Sequence, residues 1–96
     1  MSQIRFAPAA LRDLERLREF LRVKNPAAAK RAAAAIIKAI KLLERQPQIG
    51  RQAEDMDIVY RELLIDFGDT GYIALYRYDV DVVTVLSVRH QKEAGY

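Results

Sequence analysis

The residues of this sequence that could do chemistry are basic or proton-transferring side chains of its second half. They are Arg61, Arg77, Arg89, His90, Lys92 and Tyr96. Cleavage of a phosphodiester without a metal needs one group that accepts a hydroxyl proton, a second that protonates the leaving oxygen, and cations that hold the phosphate. These residue types could supply all three, so phosphodiester chemistry is one hypothesis for the sequence.

Structural roles compete with catalysis at the same positions. Arg61 and Arg77 can form ion pairs across strands, since opposite charges on neighbouring strands stabilise the pairing. Their acidic neighbours in sequence are Glu62, Asp66 and Asp79. His90 suits a solvated strand end as well as acid–base work. Tyr96 follows Ala94-Gly95 at the end of the sequence, where side chains are often poorly positioned.

The charge distribution disfavours an RNA-binding surface in the second half. Residues 1–50 carry eleven Lys/Arg against four Asp/Glu, whereas residues 51–96 carry five against nine, so the halves have net charges of +7 and −4. The stretch RQAEDMD at 51–57 is acidic, and no lysine occurs between Lys41 and Lys92. Phosphate contacts supply most nucleic-acid affinity, so we expect no direct sequence-specific binding of nucleic acid. An acidic partner should prefer the first half.

No metal or cofactor is expected. The sequence has one histidine and no cysteine, which excludes disulfides, zinc–thiolate sites and thiol nucleophiles, and its carboxylates are scattered. No run approaches the roughly 20 apolar residues that span a bilayer, and the N-terminus lacks a signal-peptide pattern. We expect a cytoplasmic protein in which residues 1–96 form a single small domain.

Three runs between residues 58 and 90 are rich in β-branched and aromatic residues and predict an antiparallel meander. Their turns are Gly68-Asp69-Thr70-Gly71 and Asp79-Val80-Asp81. If Tyr76 pairs with Val85, alternation assigns one face to Tyr72, Ala74, Tyr76, Tyr78, Val83, Val85, Ser87 and Arg89. It assigns the other, aliphatic face to Ile73, Leu75, Thr84, Leu86 and Val88. A slip of one residue would regroup them, but in either register an aliphatic face must be covered.

The first half predicts a short edge strand and a helical hairpin. SQIRF at 2–6 alternates as a strand does, and Pro8 suits the first turn of a helix that continues over 9–24. Asn25-Pro26 then fits the N-cap of a second helix over 27–46, which Pro47 and Gly50 end. Its alanines permit close packing against the first helix. The order β-α-α-β-β-β predicts an α+β two-layer sandwich, with the hairpin packed on an antiparallel sheet.

That order of elements resembles the ParE/RelE superfamily of toxins from type II toxin–antitoxin systems. The resemblance rests on LLERQPQIGR closing the helical hairpin, Arg61-Glu62 in the next strand, YIALYRY in the one after it, and VLSVRHQKE in the last. It covers nearly the whole chain. Within the superfamily the sequence looks closer to ParE, a plasmid stabilisation protein, than to RelE.

The resemblance to ParE implies a toxin that inhibits DNA gyrase by binding it and is neutralised by a cognate, ParD-like antitoxin. RelE-like toxins cut messenger RNA on the ribosome, and the catalytic set of that alternative would be Arg61, Arg77, His90 and Tyr96. A third hypothesis is a non-toxic module that binds an antitoxin. A homodimer and a toxin–antitoxin hetero-oligomer are both compatible with the resemblance.

Two sets of contact residues follow from these expectations. The target-binding residues would be Arg89, His90, Lys92 and Tyr96, since aromatic and arginine side chains anchor many interfaces. The antitoxin-binding residues would be Leu14, Leu17, Leu21, Tyr72, Tyr76 and Tyr78, which supply an apolar helix face and a row of tyrosines. The alternative for the tyrosines is that they close the second face of the sheet.

Overall fold

The structure, a computed structural model, describes residues 2–92. Its elements in chain order are β1 (Gln3–Phe6), α1 (Pro8–Lys24), α2 (Pro26–Lys41), a 3₁₀ helix (Leu42–Glu44), β2 (Arg51–Gln52), β3 (Tyr60–Phe67), β4 (Thr70–Asp79) and β5 (Val82–His90). The strands form a five-stranded sheet in the order β1-β5-β4-β3-β2, antiparallel except that β1 runs parallel to β5. Both helices pack on one face of it, so the predicted α+β two-layer fold is confirmed.

Asn25 joins the two helices and satisfies the ends of both. Its backbone N–H donates to Leu21 O at 2.7 Å, and its side-chain oxygen accepts from Ala28 N at 3.1 Å. Pro26 then occupies the first turn of α2, where no N–H is needed, as Pro8 does in α1. The cap predicted at Asn25 is therefore confirmed, but α2 is shorter than the predicted 27–46. The chain tightens at Leu42, whose carbonyl accepts from the N–H groups of Arg45 and Gln46.

The core lies between the hairpin and the sheet. The apolar stripe of α2 is buried as its spacing predicts, at Ala29, Ala32, Ile36, Ile40 and the following Leu43. The sheet meets it with the face that carries Leu63, Ile65, Tyr72, Ala74, Tyr76, Val83, Val85 and Val88. The tyrosine-bearing face is thus the covered face, and the chain closes it with its own helices.

A β-bulge in β5 corrects the predicted division of the sheet into faces. Tyr76 pairs with Val85 as expected, but Leu75 pairs with Ser87, so Leu86 is the extra residue. Every position after Leu86 therefore faces opposite to the prediction. Val88 joins the core, while Ser87 and Arg89 move to the face that the helices leave open.

Two edge features complete the sheet. The two-residue strand β2, within the acidic stretch 51–57, pairs with Arg61 and Glu62 of β3. At the opposite edge β1 pairs with β5 up to Val85. Beyond that point the Asp13 carboxylate of α1 accepts from Val88 N at 3.0 Å, so α1 supplies the acceptor that β1 is too short to provide.

Candidate functional site

His90 lies at the end of β5, with both ring nitrogens in hydrogen bonds. Nε2 lies 2.8 Å from Thr70 Oγ1, and the backbone N–H of Lys92 donates to Nδ1 at 3.1 Å. Because Nδ1 accepts this hydrogen bond, the imidazole hydrogen is on Nε2, which donates a hydrogen bond to Thr70 Oγ1. The Tyr72 ring packs edge-on against the imidazole at a centroid distance of 5.5 Å. His90 therefore ties β5 to the start of β4.

Arg61 does not form the predicted ion pair. Its guanidinium Nη1 donates to the backbone carbonyls of Gln48 at 3.2 Å and Gly50 at 2.8 Å. Tyr76, which pairs with Arg61 across β3 and β4, donates from its hydroxyl to Pro47 O at 2.8 Å and accepts from Gly50 N at 3.0 Å. Burial raises the pKa of Tyr76, while the Gly50 N–H and the nearby Arg61 charge act in the opposite direction. These residues hold the loop that follows the helical hairpin.

Arg77 and Arg89 have different surroundings. Arg77 pairs with Asp79 at 2.8 Å, so the expected Asp79 partner is correct, although the pair runs along β4 and does not cross strands. Glu62 instead pairs with Arg51 across β2 and β3 at 3.1 Å. Arg89 pairs with Ile73 in the sheet, on the open face, and its guanidinium contacts His90 O at 3.4 Å.

The candidate ribonuclease residues are not brought together within residues 2–92. His90 pairs with Tyr72, five positions from Arg77 along β4, which corresponds to about 17 Å of strand. Arg77 lies on the open face of the sheet, and His90 lies on the face that the helices cover. Arg61 and Arg77 are committed to the contacts described above. Tyr96 lies outside the described residues.

An apolar groove of about 340 Å³ runs between α1 and α2 on the outside of the hairpin. Its walls include Leu11, Leu14, Leu21, Ala33 and Ile37, and the buried Leu17 lies at its floor. Leu11 and Ile37 are about half exposed, at 54% and 49%. Of the predicted antitoxin-binding residues, the three leucines line this groove. Leu11, Ala33 and Ile37 were not among the predicted antitoxin-binding residues. Leu11 continues the spacing of the three leucines, and Ile37 is apolar but lies outside the buried stripe of α2.

The structure does not support an antitoxin contact at two of the three predicted tyrosines. Tyr72 and Tyr76 are 3% and 0% exposed, because the helices cover their face of the sheet, so neither presents a free surface to a partner. Tyr72 is one of the residues that line the interhelical groove, but almost none of its surface is exposed. Tyr78 is half-buried against the core, and its hydroxyl contacts Asp81 Oδ1 at 3.4 Å.

A second groove lies on the other side of α1, towards the end of β5. It has a volume of about 710 Å³ and lies between Phe20, which is 59% exposed, and the β3–β4 turn. Arg16, His90 and Lys92 line it beside Phe67. The predicted target-binding residues His90 and Lys92 thus share one cleft, while Arg89 points to the opposite face of the sheet.

Among residues 2–92 no group of three or more His, Cys, Asp or Glu residues is placed to hold a metal ion. Within those residues, neither helix is both long and apolar enough to cross a bilayer.

Comparison with known proteins identifies the family. The family model described as the ParE toxin of type II toxin-antitoxin systems, parDE, matches residues 4–95. This chain belongs to the ParE toxin family. A relative of this toxin, Toxin RelE3 of Caulobacter vibrioides, is 35% identical over 94 residues, which cover 97% of this chain and 98% of the relative. The chain is therefore a type II toxin of the ParE/RelE superfamily.

Solved structures show the same fold. The toxin resembles a chain of the chromosomal ParDE system from P. aeruginosa with a TM-score of 0.77 at 20% identity, covering 94% of this chain and 96% of that one. It also resembles a chain of the RelBE2 toxin-antitoxin complex from Mycobacterium tuberculosis with a TM-score of 0.64 at 28% identity, covering 94% and 98%. ParE and RelE names therefore both occur among proteins similar to this toxin.

Proposed function

We propose that the toxin inhibits DNA gyrase by binding it and does not act as a ribonuclease. The observation that supports this most directly is the placement of the basic residues. Arg61 is bonded to two backbone carbonyls, Arg77 is paired with Asp79, and His90 bonds through both ring nitrogens. A protein that acts by binding needs only a surface complementary to its target. It does not need an acid, a base and phosphate-binding cations placed around one point.

The proposed contact with gyrase is the C-terminal part of the toxin. His90 and Lys92 line the cleft beside Phe20, an exposed aromatic side chain of the kind that anchors interfaces. Arg89 would contribute from the open face of the sheet, and Tyr96 remains a proposed member of the same set. Replacing Lys92 should weaken gyrase binding without unfolding the toxin, because its side chain is exposed.

We further propose that an antitoxin of the ParD type neutralises the toxin through the interhelical groove. An amphipathic helix laid into this groove would contact Leu11, Leu14, Leu21 and Ile37 with its apolar residues. The groove lies in the half of the chain with a net charge of +7, so the polar face of that helix should be acidic. Because gyrase and ribosomes are cytoplasmic, we propose the same location for the toxin.

RelE-like cleavage of messenger RNA is the second candidate. The name of the Caulobacter relative and the similarity to a RelBE2 chain favour it. The two candidates predict different lesions in a cell that expresses the toxin without an antitoxin. Gyrase inhibition changes the topology of a reporter plasmid and leaves messenger RNA intact, whereas a ribonuclease cuts messenger RNA first.

Both readouts can be taken from one culture, by plasmid electrophoresis and by mapping of messenger RNA ends. Relaxed plasmid with intact RNA is the expected result. Cut RNA with unchanged plasmid topology would contradict the gyrase proposal. A culture that grows normally while the toxin accumulates would instead favour a non-toxic module that binds an antitoxin.

A further inference from the structure

The turn between β4 and β5 has a residue that its backbone disfavours. Val80 and Asp81 form a two-residue turn in which both have positive φ, 49° and 60°. Such turns strongly favour Asn and Gly, and a β-branched residue in this conformation is strained. Val80 is also 85% exposed, so its side chain contributes almost nothing to the core. Neither local conformation nor packing within the chain accounts for valine at this position.

A second exposed apolar side chain lies beside Val80. Ile58, which is 69% exposed, and Val80 both line a shallow groove of about 380 Å³ that also contacts Gln48, Val59 and Tyr78. The backbone on both sides is fixed, because Tyr78 N donates to Val59 O at 2.8 Å and Tyr60 N donates to Asp57 O at 3.0 Å. The two side chains are therefore held together on a rigid support.

The charged groups around these side chains are mostly acidic. Asp79, Asp81 and Arg61 line the same groove, Asp57 adjoins Ile58 in sequence, and Glu54 and Asp55 come shortly before it. Arg61 keeps its positive charge while it bonds to the Gln48 and Gly50 carbonyls, and Arg77 pairs with Asp79 and offsets its charge. Within residues 2–92, Asp57 and Asp81 form no ion pair, although Asp81 accepts weakly from the Tyr78 hydroxyl. An apolar patch with this rim is complementary to a basic segment.

We propose that the hairpin-tip surface at the β4–β5 turn, formed by Ile58, Val80, Asp57 and Asp81, docks a basic segment of the toxin's target protein. An apolar side chain of that segment would pack on Val80 and Ile58, while its Lys or Arg residues meet the aspartates. The inference rests on the proposed function, in which the toxin acts by binding a protein. The antitoxin and the target would then bind different surfaces, because the interhelical groove lies in the basic half of the chain and the hairpin-tip surface lies in the acidic half.

Val80→Asn tests the proposal without risk to the fold. Asparagine tolerates a positive φ that valine disfavours. The variant should therefore melt about 5 °C higher than the wild type, because the backbone strain at this position is relieved. If the tip docks the target, the same variant should need about tenfold more protein to inhibit gyrase supercoiling, the typical cost of losing an interface anchor. Antitoxin binding should be unchanged. Asp81→Asn should weaken inhibition chiefly at low salt.

Val23→Asn is the matched control, since Val23 is 77% exposed on α1 and lines neither the tip nor the interhelical groove. A more stable Val80→Asn protein with impaired inhibition, beside a fully active Val23→Asn protein, is the expected result. Equal inhibition by Val80→Asn and wild type would overturn the docking surface and leave the gyrase proposal standing. Absence of inhibition by the wild type would contradict the gyrase proposal alone. In that case, growth arrest would be compared between cells that express the wild type and cells that express Val80→Asn. Equal arrest in the two cultures would overturn the docking surface.

Discussion

The backbone N–H of Gly50 donates to the hydroxyl of Tyr76 at 3.0 Å, which ties the loop after the helical hairpin to the central strand of the sheet. The same hydroxyl donates to Pro47 O, and Arg61 bonds to the Gly50 carbonyl from the neighbouring strand. The LLERQPQIGR segment is therefore held by side chains that follow it in sequence. This contact fixes the position of the hairpin end relative to the sheet.

Gly50→Ala should destabilise the toxin by about 1–3 kcal/mol, the usual cost of overpacking. A Cβ at this position would lie 2.6 Å from the Tyr76 hydroxyl and 2.8 Å from the carbonyl oxygen of Glu62, and the latter is backbone that cannot rotate away. Urea unfolding of the purified variant measures the loss. Gly68→Asn is the control, because Gly68 has open space around it and a positive φ that asparagine tolerates. Equal losses in both variants would contradict the role given to the Tyr76 contact.

Alkaline pH should weaken the fold through Tyr76. Burial raises the pKa of Tyr76 above its ordinary value near 10, because the folded state disfavours the phenolate. The stability that this group contributes is complete below the unfolded pKa and is lost as the pH rises through the folded value. The free energy of unfolding should therefore fall above about pH 10.

Tyr76→Phe separates this effect from that of other tyrosines. The substitution leaves the Gly50 N–H without its acceptor and should cost about 1–3 kcal/mol at neutral pH. It should also flatten the alkaline part of the stability profile. Tyr60→Phe, at a half-buried position on the open face, serves as the comparison. A profile that is equally steep in Tyr76→Phe and wild type would show that other groups cause the alkaline loss.

Asn25→Ala should lower the free energy of unfolding by about 1 kcal/mol, because the Ala28 N–H loses its acceptor at the start of α2. Asn25→Asp keeps an acceptor oxygen and should retain most of the stability. Thermal denaturation followed by circular dichroism distinguishes the two variants. If alanine and aspartate are equally destabilising, the hydrogen bond is not what stabilises this junction.

Ile37→Glu should reduce antitoxin affinity by at least about tenfold, since it places a charge in the interhelical groove. Ile37 is half exposed, so the fold should tolerate the change. Leu42→Glu is the matched control, because Leu42 is similarly exposed at 48% and does not line the groove. Calorimetric titration with the co-encoded antitoxin measures both. Equal affinities for the two variants would exclude the groove as the antitoxin site.

Local signals in the sequence predicted the elements well. Periodicity located both helices and Asn25-Pro26 marked their junction. The pairing of Tyr76 with Val85, which was assumed for the second β-hairpin, is the one observed. The bulge at Leu86 has no comparable signal, since no glycine or proline marks it. Two residues after the bulge, Val88 N donates to Asp13 of a helix distant in sequence, a contact that local sequence does not reveal. The strand β2 is too short and too polar to be recognised from sequence.

The candidate site was less predictable than the fold. Sequence identifies which side chains can carry charge, but their partners depend on where loops fold. Arg61 was expected to pair with a carboxylate, yet its partners are carbonyls of the loop after the hairpin. The tyrosines were assigned to a partner surface because the face covered by the helices could not be known in advance. The interhelical groove could not be predicted because its shape depends on how two helices pack against each other, and no local sequence pattern specifies that packing.

Gyrase inhibition by this toxin can be tested in a supercoiling assay with purified toxin, run beside a ribosome-programmed messenger RNA cleavage assay on the same preparation. The gyrase proposal predicts that supercoiling is inhibited, or that cleaved DNA complexes accumulate, in proportion to the toxin added. It also predicts that the RNA stays intact and that adding antitoxin restores supercoiling. RNA cut at defined codons, with supercoiling unaffected at the same toxin concentration, would contradict the account and assign a catalytic role to the basic residues.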